Sequence, residues 1–66
     1  MKSEVIAVVV TDLGAVLEVR QDELLTVVYH RNGGKLSFVG FDFTRNVVDE
    51  VDFARRLAWD RPHLFA

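Results

Sequence analysis

LLTVVYHRNGGKLSFVGFDF, residues 24–43, decides the architecture. Residues 24–30 put Leu25, Val27 and Tyr29 on one side and Leu24, Thr26, Val28 and His30 on the other. This is a strand pattern in which neither face is cleanly polar. Arg31, Asn32, Gly33 and Gly34 interrupt it, and the Asn-Gly pair, which tolerates the left-handed conformation, predicts a tight hairpin. A strand resumes over 35–43. Leu36 and Phe38 share one parity while Phe41 and Phe43 share the other, so a bulge is expected near Val39 and Gly40.

Upstream, the β-branched run 5–10 reads as a first strand, with Val5, Ala7 and Val9 on one side and Ile6, Val8 and Val10 on the other. Thr11 to Gly14 supply a turn in which Gly14 takes a positive φ. Residues 15–20 form a second strand, with Val16, Glu18 and Arg20 opposite Ala15, Leu17 and Val19, and Gln21, Asp22 and Glu23 turn the chain into the third.

Downstream of Phe43 the period changes from two to 3.6. Thr44 and Asn46 are candidate N-caps, with Asp49 three residues beyond Asn46 as in a capping box. Val47, Val51, Ala54 and Ala58 then fall on one helical stripe flanked by Phe53 and Leu57, with Asp52 and Arg56 forming an i,i+4 pair on the far side. Pro62 ends the helix near Asp60. The order is ββββα: an α+β fold in which a four-stranded antiparallel meander carries one C-terminal helix on one face, residues 1–66 forming a single domain and 61–66 a short apolar tail.

The counts narrow the class. A chain of 66 residues with no Cys has neither a disulfide staple nor a thiolate metal site. Half its residues are hydrophobic and 27% are charged, which is a globular composition. Its net charge of −2 gives no field to hold a polyanion, so nucleic acid is a less favoured partner. The apolar run 5–10 is too short for a leader core or a membrane span, so a cytoplasmic protein without membrane attachment is expected.

The informative feature is an apolar surplus. One helical stripe covers one face of a sheet, yet the first and third strands are apolar on both. The uncovered face is expected to carry Val5, Val9, Val16, Leu24 and Val28, with Trp59, Leu64 and Phe65 of the tail either folding over part of it or joining the same contact. A contiguous patch of this kind marks an interface. The expected function is therefore a noncatalytic protein–protein interaction module, acting as a homodimer or on a partner protein as adaptor, inhibitor or assembly protein.

Two alternatives are weighed beside it. Arg31, Lys35 and Arg45 with Tyr29 could form a basic, aromatic edge for single-stranded nucleic acid. A small-ligand carrier would need a pocket built between subunits. Catalysis is not expected: Ser3 and Ser37 are the only serines and lie in no nucleophile elbow. His30 and His63 lack metal-ligand spacing even with Asp42 nearby. Asp49, Glu50 and Asp52 suit the start of a helix, and Asn32 to Lys35 lacks the helix a phosphate loop requires. No cofactor or metal is expected.

Overall fold

Three turns fold the first two thirds of the chain into one antiparallel sheet ordered β1 (Glu4–Val10), β2 (Val16–Gln21), β3 (Leu25–Asn32) and β4 (Lys35–Phe43). A single helix, α1 (Glu50–Trp59), follows, giving the ββββα fold that the sequence predicts. The computed structural model describes residues 4–65; Met1 to Ser3, where the start of the chain was read for a leader, and Ala66, the end of the tail, lie outside the described residues.

Each turn has a local cause. Gly14 (φ 82°) closes the β1–β2 turn, where the Thr11 hydroxyl accepts the Ala15 N–H at 3.1 Å. In the β2–β3 turn the Asp22 carboxylate accepts the N–H groups of Leu24 and Leu25, both at 2.8 Å. Leu24 is thereby held in the turn rather than in β3, and it is exposed. The β3–β4 loop is Gly33-Gly34 rather than Asn-Gly: Asn32 pairs with Lys35, and only the first loop glycine, Gly33 (φ 63°), is left-handed, as in a type II′ turn.

Two bulges set which residues share a face. The β3–β4 register shifts between Val28 and Tyr29, where Val28 opposes Gly40 and Tyr29 opposes Phe38, leaving Val39 as the extra residue. This is the expected bulge. The second, between Val5 and Ala7 in β1, breaks the simple alternation.

The helix begins later than the periodicity implies. Residues Thr44–Asn46 form a 3₁₀ turn, and Asp49 is the N-cap, accepting the Asp52 N–H at 3.0 Å. The expected caps are engaged elsewhere: the Thr44 hydroxyl donates to the Asp22 carbonyl, and the Asn46 amide donates to Asp42. Asp52 and Arg56 make the expected ion pair at 2.9 Å.

Of the expected stripe, only Ala54 and Ala58 are buried, with Phe53 and Leu57 packed beside them. These small residues bring α1 close to the sheet. A Cβ at Gly40 would stand 3.1 Å from the Leu57 side chain, so this glycine is where the helix lies tightest on β4. The core beneath α1 consists of Val9, Leu17, Val19, Val28 and Val39 with the two alanines.

Candidate interaction surface

The pairing register names the residues on the other face of the sheet. Three rungs cross all four strands there. Val10–Val16–Arg31–Leu36, Val8–Glu18–Tyr29–Phe38 and Val5–Arg20–Val27–Phe41 are each aligned by direct Cα partners, and Leu25–Phe43 adds a half rung on β3 and β4. Valines occupy the β1 end and larger side chains the β4 end.

Among the described residues no element covers this face. The tail turn Pro62–Phe65 packs on the helix side, where the Phe65 ring meets His30 edge-on at 4.8 Å and joins the core. Val8, Val10, Phe38, Phe41 and Phe43 are each at least half exposed. With Val5 and Leu36 they form two exposed apolar rows along β1 and β4, flanking half-buried β2 and β3 side chains, and exposed apolar surface gathered on one face in this way marks an interaction site. Total accessible surface agrees: 4803 Å² against about 4,250 Å² expected for a 7.5 kDa monomer.

A polar cluster sits at the centre. Glu18 is only 4% exposed although it lies on the open face. Arg20 donates to its Oε1 through Nε at 3.3 Å and Nη2 at 3.1 Å, and Arg31 pairs with its Oε2. Hydrogen bonds from Arg31 and then Arg20 hold the Glu18 carboxyl below its ordinary value of 4.5, outweighing the opposing effect of burial. Arg20 also lies over the Tyr29 ring, 5.7 Å from its centroid, and Tyr29 and Phe38 meet edge to face at 6.4 Å. Among the described residues no buried side-chain polar atom lacks a partner.

The expected interface residues separate into three groups. Val5 and Val16 lie on the open face. Val9 and Val28 do not: both are buried beneath α1, because the β1 bulge moves Val5 to the side of Val8 and leaves Val9 with Ala7, and because α1 packs on the Val28 side of β3. Leu24 is on neither face, being part of a turn. Trp59, 83% exposed, stands at the end of α1 with Leu64 and Phe65, in the helix layer rather than over the open sheet. Trp59 and Phe65 border a shallow apolar hollow of about 140 Å³ with Leu13 and Ala58. That is below the roughly 300 Å³ at which ligand pockets begin.

The basic set is dispersed. Arg31 is engaged by Glu18, and Arg45 lies over Phe43 at 5.6 Å. Lys35 opens β4 and Arg45 follows it, so the nine-residue strand holds their backbones about 26 Å apart. Among the described residues no three His, Asp or Glu side chains gather as a metal-ligand group, and no helix is long and apolar enough to cross a membrane.

Comparison with family models, curated proteins and solved structures finds no match. The reading therefore rests on the geometry of the chain.

Sequence reasoning passed over Glu18 and the row Phe41 and Phe43. The signal for the first was present: Glu18 alternates with Val16 and Arg20 in a strand otherwise too apolar to leave a carboxylate unpartnered. The signal for the second was the bulge itself, which turns Phe41 and Phe43 to the side of Leu36 and Phe38.

Proposed function

We propose that this chain is a small noncatalytic interaction module of the cytoplasm, working through the open face of its sheet on a copy of itself or on another protein. The observation that carries the reading is the set of rungs from the β1 valines to the β4 phenylalanines, exposed along both outer strands of one face around a closed Glu18–Arg20–Arg31 cluster.

Hydroxyl-radical footprinting tests it. Oxidation of Tyr29, Phe38, Phe41 and Phe43 in an extract of the source cell is compared with that of the isolated chain at high dilution. Protection of these rings in the extract supports the reading. Unchanged oxidation there, with Trp59 protected instead, overturns it and moves the contact to the end of α1.

A nucleic-acid reading is favoured by one observation, the presence of Tyr29, Arg20 and Arg31 on the same face as three phenylalanines. Against it, Arg20 and Arg45 already lie over Tyr29 and Phe43, and Glu18 engages both Arg20 and Arg31. Retention on single-stranded oligonucleotide resin that weakens steeply with salt would favour it.

A further inference from the structure

The geometry points to a second copy of this chain as the occupant of the open face, stacked sheet on sheet about a twofold axis parallel to the strands, so that β1 of each protomer lies over β4 of the other. This inference rests on the open-face reading and adds the partner and its orientation.

The rungs make the argument. A twofold axis along the strands reverses strand order and keeps each rung at its own level, so the first residue of a rung meets the last residue of its copy. Val10 then faces Leu36 of the other copy, Val8 faces Phe38 and Val5 faces Phe41. Each contact sets a short side chain against a long one, which fills a gap of about 10 Å evenly between packed sheets. An axis perpendicular to the strands would instead stack β4 on β4. The phenylalanines would collide while the β1 valines faced each other across a void.

The middle rung fits the same operation. Its two inner members are Glu18 and Tyr29, so Glu18 meets Tyr29 of the other copy beside the axis. There the copy's tyrosine ring lies against a cluster whose carboxylate is already satisfied by both arginines of its own protomer, so no unpartnered charge enters the contact. Arg20 and Arg31 lie one rung to either side on the same inner strands, so both guanidiniums stay beside the axis and are held there by Glu18 of their own protomer. Closed twofold dimers are also the commonest assembly.

Single-cysteine chains test the arrangement, because the natural sequence has no Cys and each engineered thiol is the only one present. V10C and L36C chains, one of them isotopically labelled, are mixed and treated with a bismaleimide of about 10 Å reach, matched to the sheet spacing. Dimer mass is followed alongside, for the natural chain and for Phe38→Lys and Val8→Lys. The expected result is V10C–L36C cross-linking at least about tenfold above either homotypic product, since like positions lie some three strand spacings apart laterally. Each lysine variant should raise the dimer dissociation constant at least about 100-fold, both copies losing a central contact.

Predominant V10C–V10C product overturns the orientation but leaves the open-face reading intact. A dimer that neither lysine variant weakens overturns the inference and that reading together. A monomer at every concentration overturns the second copy alone, and the footprint in extract then decides the open-face reading.

Discussion

Val8 and Val19 are neighbours on adjacent strands, face opposite sides of the sheet, and differ in burial from 61% exposed to fully buried. Val→Ala at each removes the same two methyl groups and the same β-propensity, so the difference between the two variants isolates which side of the sheet is the core. At Val19 the lost transfer energy is about 1.6 kcal/mol at 0.8 per methyl, and the residual cavity raises the cost to about 2–2.5 kcal/mol. At Val8 the exposed fraction scales the same loss down to about 0.6 kcal/mol in the isolated protomer. For a domain of this size these correspond to melting shifts of about 8–20 °C and about 2–5 °C.

The assay is thermal unfolding by far-ultraviolet circular dichroism at a few micromolar, repeated at a hundredfold higher concentration. On dilution the Val19 variant should be much the less stable. At high concentration the gap should narrow, since in the proposed dimer association would stabilise the folded chain and Val8 would become part of the buried contact. Equal costs at Val8 and Val19 in the dilute chain, or a Val19 cost below about 0.5 kcal/mol, would refute the assignment of the core to the α1 side.

Three further outcomes follow from the same geometry. Glu18 and Asp22 are both held below their ordinary values of 4.5 and 3.8, the first by Arg31 and Arg20 and the second by the N–H groups of Leu25 and Leu24. Their contribution is complete above those values and is lost as the pH falls through the lowered ones; melting temperature should be flat near neutrality and fall in acid, with Glu18→Gln showing a weaker acid dependence. Gly40→Val adds atoms where Leu57 already lies close and should cost about 1–3 kcal/mol by denaturant titration. Trp59→Ala removes an exposed ring at the helix end and should change stability by less than about 0.5 kcal/mol while leaving the dimer mass unchanged.

The strands, their order and the β4 bulge were legible because period-two patterning, Gly14 and the Asn32-Gly33 break are local signals, although the loop itself is one residue further on, at Gly33-Gly34. The break in the Val5–Val10 run was not. Every residue from 5 to 10 is apolar, so sliding the register by one leaves the pattern unchanged, and only pairing with β2 fixes which valines face α1. Val9 was for that reason placed on the wrong side, and Val28 because nothing local to β3 tells which of its two apolar faces α1 covers, although the surplus of apolar surface follows from the count of faces against helices. The start of α1 was misplaced for a different reason: Thr44 and Asn46 have the chemistry of caps, but Thr44 is drawn to Asp22 by a tertiary contact that spacing along the chain does not reveal, and Asn46 turns back to Asp42 four residues earlier.

In the proposed assembly the sheet is left open by its own helix and closed by another copy of the chain. Sedimentation equilibrium from about 1 to 500 μM, a range that brackets micromolar self-association, tests it most directly. The expected mass rises to twice 7.5 kDa for the natural chain and stays at 7.5 kDa for folded Phe38→Lys at the same concentrations. A natural chain that remains at 7.5 kDa throughout would contradict it.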